Sequence, residues 1–406
     1  MMTETTHEWS PQQQSAIDEV RAWLASEDPD APQVFHLFGY AGTGKTTLAQ
    51  HLVDEVDGTV LFGAFTGKAA LVLASKGCSP AMTIHQMIYL PREKSAERLT
   101  RLQAELNAEE DPDRRRELLC EVDVEKENLQ RPAFTLNLDS PVREAALVVL
   151  DEVSMVGRDI AQDILSMGTR ILALGDPGQL PPVKNAGYFT NVEPEVMLTD
   201  IHRQAKGSPI IDLATLARKS EPIALGNYGS SRVVSKGTLS IKELAAHDQI
   251  IVGRNKTRTA INNRIRREVM GIESHLPIAG DKLVCLRNNR QTGLLNGSQW
   301  MVDDAEILDD DRLQLWIHSI DAQDPYTFDV VAFRHHFEGR EKEIPFYEMR
   351  EAEHFDFGYA VTCHKAQGSQ YPNLAIVDES HCFRDDARKW LYTAITRASE
   401  KLTLIQ

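Results

Sequence analysis

The sequence predicts an α/β protein with parallel sheets, on three observations. Residues 34–38, 60–65, 146–150 and 170–175 are short apolar runs without polar alternation, as strands buried on both faces require. Segments of helical character, such as 48–56, lie between them. The pattern then recurs, with 249–252 as a strand and 256–270 as a basic helix, so the chain carries two such units. Its 406 residues are too many for one core and enough for two or three domains. The expected units are 1–200 and 201–406.

Two stretches break this rhythm. Residues 91–130 are highly charged, with Leu99, Leu102 and Leu106, then Leu118, Leu119, Val122 and Leu129, at helical spacing around Asp111-Pro112-Asp113. That predicts two amphipathic helices joined at the proline. A short β excursion over 131–142 completes an insertion of 91–142, read either as a projecting arm or as a solvated surface segment. Residues 281–350 change to short strand-like segments punctuated by Asn296-Gly297 and acidic turns, which predicts a small β-barrel inserted in the second unit.

Composition excludes several classes. No run approaches the roughly 18 apolar residues of a membrane span, so no membrane partner is expected. The start, MMTETTHEWSPQQQ, is polar and acidic, unlike a secretory signal. Cys78, Cys120, Cys285, Cys363 and Cys382 are scattered, without a CxxC pair, which argues against a zinc site or a disulfide framework and fits the cytoplasm. The net charge of −16 opposes non-specific nucleic-acid affinity. It is uneven, however: 303–306 and 309–311 are acidic turns, while Arg254, Lys256, Arg258, Arg264, Arg266 and Arg267 cluster elsewhere.

Residues 39–46, GYAGTGKT, match the phosphate-loop template G-x-x-x-x-G-K-[ST] in full. Glycines such as Gly42 and Gly44 let backbone N–H groups, with those of Thr43 and Thr47, converge on phosphate oxygens at a helix start. Lys45 is placed to reach the β- and γ-phosphates of ATP, and the Thr46 hydroxyl to coordinate Mg²⁺. The run at 146–150 leads into Asp151-Glu152, at the strand end where open α/β sheets place ligands. Asp151 would hold the metal and Glu152 would deprotonate the attacking water. Alone that acidic pair is weak; beside a phosphate loop it is strong. Gln179, in the loop after 170–175, reads as a γ-phosphate sensor or as a merely solvated side chain.

In this order the motifs resemble superfamily 1 helicases, within them the RecD/Dda-like branch of superfamily 1B, over about residues 9–402. Ser10-Pro11-Gln12-Gln13 resembles the adenine-reading glutamine motif, with Gln13 at the better spacing. Thr66-Gly67-Lys68-Ala69-Ala70 and Thr83-Ile84-His85-Gln86 resemble strand-contacting motifs. The stretch 198–204, with Arg203, resembles a motif carrying an arginine finger, and 392–398, with Arg397, the motif carrying the second. The stretch 362–369, including Gly368, resembles the motif joining DNA to ATP. Phe65 departs from the usual proline, and Gln370 from the glutamate that many members place near the ribose.

The resemblance implies two RecA-like motor domains, a hairpin in the first and an SH3-like barrel in the second. It implies ATP and Mg²⁺ as cofactors, single-stranded DNA and single-strand/duplex junctions as partners, 5′-to-3′ movement, and work beside replication, repair or recombination proteins, as a monomer. Thr66, Lys68, His85, Thr362, His364 and Lys365 are the candidates for gripping the strand's backbone. His364 and Lys365 read also as structural residues. Phe134 reads either as an aromatic wedge stacking on the last base pair or as core beneath the hairpin. An RNA helicase, a protein-displacing translocase and a nucleotide-switched scaffold remain alternatives on the residues alone.

Overall fold

Six strands form the first parallel sheet of the computed structural model. It describes residues 8–91, 96–130, 134–181, 187–200, 207–289, 292–321, 326–344, 349 and 351–406. The strand order is Ala81–Thr83, Val60–Ala64, Leu147–Asp151, Ile171–Gly175, Val34–Gly39 and Val196–Leu198. Every pairing in it is parallel. The unbroken apolar runs are explained by burial on both faces. Leu147, Val149, Leu172 and Leu174 enter one core, while Val148, Leu150, Ile171 and Ala173 enter the other.

The second sheet runs Ala360–Thr362, Gln249–Val252, Tyr371–Val377, Ala398–Ile405, Ser231–Val234 and Gly226–Tyr228. Only the last pair is antiparallel. Ile251 and Ile376 face one core, Ile250 and Ala375 the other. The strands of the first sheet lie within 34–198 and those of the second within 226–405. Helix Pro11–Leu24 covers the first sheet with Ala16, Ile17 and Val20. It starts at Ser10 through a reciprocal capping box with Gln13.

The charged insertion forms two helices, Ala96–Ala108 and Pro112–Gln130, as the leucine spacing predicts. Leu102, Leu118 and Val122 make a small core of their own. At its base Tyr89–Pro91 pairs antiparallel with Phe134–Leu136. The second insertion is a five-stranded antiparallel sheet: Thr327–Phe333, Arg312–Ser319, Gln299–Ile307, Lys282–Cys285 and Phe355–Phe357. An isolated bridge, Ala332 to Glu353, links one edge strand to the residues just before the other, over a core that includes Trp300.

The basic helix differs from expectation. It is α-helical over Asn255–Arg264 and then widens into a π turn, Ile265–Val269. Arg266 in that turn is 3% exposed and forks onto Asp281, at 2.8 and 2.9 Å. Nor is the cluster a free basic surface. Arg254 pairs with Glu379, Arg258 with Asp356, and Arg264 and Arg267 with Glu268. Those charges serve the second lobe's own structure.

Beside the inserted sheet, His336 and His354 share a hydrogen bond of 2.7 Å, and His354 also bonds the Met349 carbonyl at 2.8 Å. Burial first, then His354 and His335, pushes His336 down to about 4. The unfolded chain therefore takes up a proton as pH falls below about 6.5, while the folded chain does not until about 4. Stability should drop through that window. In urea titrations at pH 7 and pH 5, His336→Gln should show a smaller loss than the parent chain; equal losses would contradict the assignment.

Candidate functional site

The phosphate loop turns between strand Val34–Gly39 and helix Lys45–Val53. Gly42 (φ 79°) and Gly44 (φ 82°) are left-handed, a conformation that costs other residues about 1–2 kcal/mol. A Cβ on Gly39 would lie 2.6 Å from Thr43 Oγ1 and 2.8 Å from Leu198 Cβ, so close approach also dictates glycine there. Lys45 Nζ donates to the Gly39 and Tyr40 carbonyls at 2.7 and 3.2 Å.

Opposite the loop, the strand ends deliver the acids. Thr46 Oγ1 donates to Asp151 Oδ2 at 3.2 Å, bringing together the two residues expected to hold Mg²⁺. Burial, then the neighbouring Glu152, raises the Asp151 pKa, and Lys45 opposes the rise. Glu152 adopts φ 53°, ψ 42°, a rare conformation for a side-chain-bearing residue. Its Oε1 lies 3.7 Å from Nη1 of Arg397, which belongs to the second lobe and is 5% exposed. Arg397 is held in place by the carbonyls of Thr393 (3.2 Å) and Ser369 (3.5 Å) and by Thr396 Oγ1 (3.2 Å).

These groups line one cavity of about 300 Å³, with Gly42, Thr43, Gly44, Thr47, Gln179 and Gly368 also on its wall. Gln179 is buried with its Oε1 unpartnered, an acceptor ready for a ligand. A larger cavity of about 400 Å³ lies elsewhere on the second lobe, among residues such as Arg232, His247 and Lys401. It has neither an anion-binding loop nor a strand-end acid pair, so size does not identify the site.

Gln13 is not on the cavity wall. It lies beneath the loop, 3% exposed, donating to the Thr43 carbonyl at 3.1 Å and accepting from Ser10 N at 3.0 Å. This makes it a brace for the loop. Arg203 lies outside the described residues. Sequence reasoning passed over two residues in plain view. Asp176 follows the strand Ile171–Gly175 and Tyr392 opens the Arg397 motif, and their side chains meet at 2.6 Å across the lobes. Only their burial, invisible in the sequence, marks them out.

Of the strand-contact candidates, Lys68 and Lys365 meet the inserted region, whereas His85 lies at the hairpin beside Phe65, Tyr89 and Phe134. Thr66 caps helix Gly67–Ser75 by accepting from Ala69 N, and Thr362 precedes helix Cys363–Ala366. Lys68 departs from the expectation of an open phosphate contact. It is 9% exposed and its Nζ sits 2.9 Å from Asp321 of the inserted sheet, 5.2 Å over the Tyr371 ring. Lys365 Nζ donates to Asn296 Oδ1 at 2.5 Å, and burial lowers its pKa. His364 packs on Phe383, and burial lowers its pKa too. Phe134 is 41% exposed, so it is not core; its ring lies near His85 (6.2 Å) and Tyr89 (6.3 Å).

An anion cradle on one sheet, met by a buried guanidinium from another, defines a two-lobed P-loop nucleoside triphosphatase. The family described as AAA domain matches residues 8–238, and that described as UvrD-like helicase C-terminal domain matches 357–405. The first match covers more than half of the sequence, and the chain belongs to that family.

The ATP-dependent RecD2 DNA helicase of Deinococcus radiodurans is 29% identical over 284 residues, covering 63% of this chain and 35% of that protein. An uncharacterized protein of Methanocaldococcus jannaschii is 24% identical over 460 residues, covering 91% and 36%. The chain thus spans about a third of the length of these curated relatives. The Pif1 helicase of Candida albicans shares the fold at TM-score 0.52, with 15% identity and 98% and 94% coverage of the two chains. A structure of two coordinating Pif1 helicases at forked duplex DNA gives 0.53, with 16% identity and 98% and 92% coverage.

Gly368 tests the closeness of the lobes. It has φ 77°, and a Cβ there would lie 2.8 Å from Ala69 Cβ in the first lobe. Gly368→Ala should destabilise the chain by about 1–3 kcal/mol and weaken binding of a fluorescent ADP analogue. Denaturant melts and a fluorescence titration measure both; a variant with parental stability and affinity would show that the contact is dispensable.

Proposed function

We propose that the chain is an ATP-driven DNA helicase that moves 5′ to 3′ on single-stranded DNA and separates the duplex ahead of it. The observation that carries this reading is Arg397, buried in the second lobe yet 3.7 Å from Glu152 on the first. A nucleotide held in that cleft would touch both lobes, so its hydrolysis would change how they fit together.

The chemistry follows from the residues. Lys45 and the loop N–H groups bind the β- and γ-phosphates. Glu152 accepts the proton of the water that attacks the γ-phosphorus, while the bond from that phosphorus to the bridging oxygen breaks, giving ADP and phosphate. Arg397 stabilises the charge that spreads over the equatorial oxygens, with Arg203 as a second finger. Gln179 hydrogen-bonds the γ-phosphate or the water. The Thr46 hydroxyl and Asp151 carboxylate suit a magnesium ion, which is bound through few protein oxygens beside phosphates; the raised Asp151 pKa is the electrostatic demand such a cation would meet. Bound there, the ion would neutralise phosphate charge.

For the strand, Thr66, His85, Thr362 and His364 supply sequence-blind backbone contacts. Lys68 and Lys365 join them when Asp321 and Asn296 give way to phosphates. Phe134, exposed on the hairpin, stacks on the last base pair. The likeness to the RecD2 DNA helicase and to Pif1 at forked duplex DNA supports DNA as the track, and the resemblance to the RecD/Dda-like branch supports the polarity.

Lys45→Ala should abolish ATP hydrolysis and unwinding and leave oligonucleotide binding intact. Duplexes with a 5′ or a 3′ tail, with DNA or RNA as the tail, separate the finer claims: unwinding only from 5′ DNA tails is expected. Unwinding at the parental rate by the Lys45 variant would sink the proposal. Asp321→Asn should tighten oligonucleotide binding by about tenfold, equivalent to about 1.4 kcal/mol, and lose that gain when Lys68→Ala is added. Unchanged or weaker binding in Asp321→Asn would remove Lys68 from the strand contacts.

A further inference from the structure

Tyr392 has a role that the motif reading leaves unassigned. It lies on helix Ala387–Ile395, which runs directly into Arg397, and it is 2% exposed. Its hydroxyl donates to Asp176 Oδ2 at 2.6 Å and accepts from the Ala41 N–H at 2.8 Å. Ala41 belongs to the phosphate loop, and Asp176 follows the strand Ile171–Gly175 beside it. One side-chain atom of the second lobe thus touches both walls of the nucleotide cradle.

Packing alone does not call for that hydroxyl. The ring lies within the second lobe's core, where a phenylalanine would bury the same surface. The hydroxyl instead pairs a half-buried backbone donor with a buried carboxylate, groups that are costly to leave without partners. Asp176 is itself 2% exposed, and its other oxygen accepts from Gly178 N at 2.9 Å. Gly178 is shaped by the contact: a Cβ there would stand 3.0 Å from the tyrosine ring and 3.1 Å from Asp176 Oδ1. The neighbouring bonds across the seam, Leu180 N to Thr393 Oγ1 and Gln367 Nε2 to the Leu180 carbonyl, reach the loop after Asp176 and not the phosphate loop.

We propose that Tyr392 is a positioning residue for ATP hydrolysis: its hydroxyl registers the second lobe against the phosphate loop and so sets where Arg397 meets the nucleotide. This rests on the ATPase reading above. The helix is the rigid link. With Tyr392 pinned to Ala41 and Asp176, the chain leaving that helix delivers the guanidinium beside Glu152. Without the pin the lobes still fold and still bind nucleotide, but the arginine is no longer held in register with the phosphates.

The test is a double-mutant cycle of Tyr392→Phe and Arg397→Ala, read as steady-state ATP turnover with an oligonucleotide present. Thermal melting and titration with a fluorescent ADP analogue accompany it. Tyr392→Phe is expected to lower kcat about tenfold and to leave KM for ATP and the affinity for the ADP analogue within about threefold. In the Arg397→Ala background the phenylalanine should cause no further loss. Asp176→Asn, which keeps the tyrosine and removes the carboxylate, should reproduce the kcat loss and the same non-additivity.

Parental kcat in Tyr392→Phe, or losses that multiply with Arg397→Ala, would overturn the proposal. So would a fall in kcat that merely tracks the fraction of chain able to bind the ADP analogue. Should Tyr392→Phe prove unfolded, the Asp176→Asn cycle decides by the same criteria. A parental chain without ATP turnover defeats the ATPase reading itself, and this proposal with it; the other negative outcomes leave that reading standing.

Discussion

The structure depends on a buried cation from one lobe standing beside an acid from the other. Arg397 is 5% exposed, and burying an unpaired guanidinium would cost several kcal/mol. Its hydrogen bonds go to neutral oxygens, of Thr393, Ser369 and Thr396, while the nearest carboxylate, Glu152, is 3.7 Å away. That is orientation without full neutralisation. The remaining attraction is available to a more highly charged neighbour, and the triphosphate proposed for the cavity is such a neighbour. The positive φ of Glu152 belongs to the same arrangement, since it turns the residue after Asp151 back toward the cleft.

The inserted sheet bears on this arrangement from outside the nucleotide site. Asp321 meets Lys68 at the start of helix Gly67–Ser75, and Asn296 meets Lys365 in helix Cys363–Ala366. A Cβ on Gly67 would fall 2.7 Å from Leu295, so the backbone of the first lobe abuts the same insertion. Both lysines chosen from the sequence as strand contacts are therefore satisfied within the chain. In the proposed function, exchange of these partners for phosphates would link strand binding to how the insertion sits on both lobes. Arg254, Arg258 and Arg266 have no such freedom, because Glu379, Asp356 and Asp281 hold them to the second lobe itself, whereas Arg264 and Arg267 pair with Glu268 on their own helical segment.

Most of the sheet strands and the nucleotide cradle were legible because their chemistry is local. A strand buried on both faces has to be a continuous apolar run, and a phosphate loop has to concentrate glycines before a lysine and a hydroxyl. The two arm helices announced themselves by leucines at helical spacing around Pro112. What the sequence did not yield is long-range. Asp321 stands 253 residues from Lys68, and Tyr392 stands 216 from Asp176, so neither pair leaves a local trace. Gln13 was placed by motif spacing at the nucleotide, whereas the capping box at Ser10 turns its amide under the loop. The π turn at Ile265–Val269 follows from an inward arginine whose acidic partner comes from a later loop.

The loop after Ile171–Gly175 shows how the lobes are joined without being fused. Leu180 is 1% exposed and lies within the second lobe's core, with Leu213, Trp390 and Ile395, although its strand is central to the first sheet. Burial of one leucine contributes about 1.5–3 kcal/mol, enough to hold a loop and too little to weld two domains. Its backbone is fixed as well, by Thr393 on one side and Gln367 on the other. Gln179, immediately before it, therefore stands on a strap that is rooted in one lobe and anchored in the other. Its unpartnered acceptor thus stands both on the wall of the cavity and on the strap between the lobes, where the proposed nucleotide and a separation of the lobes would act on the same side chain.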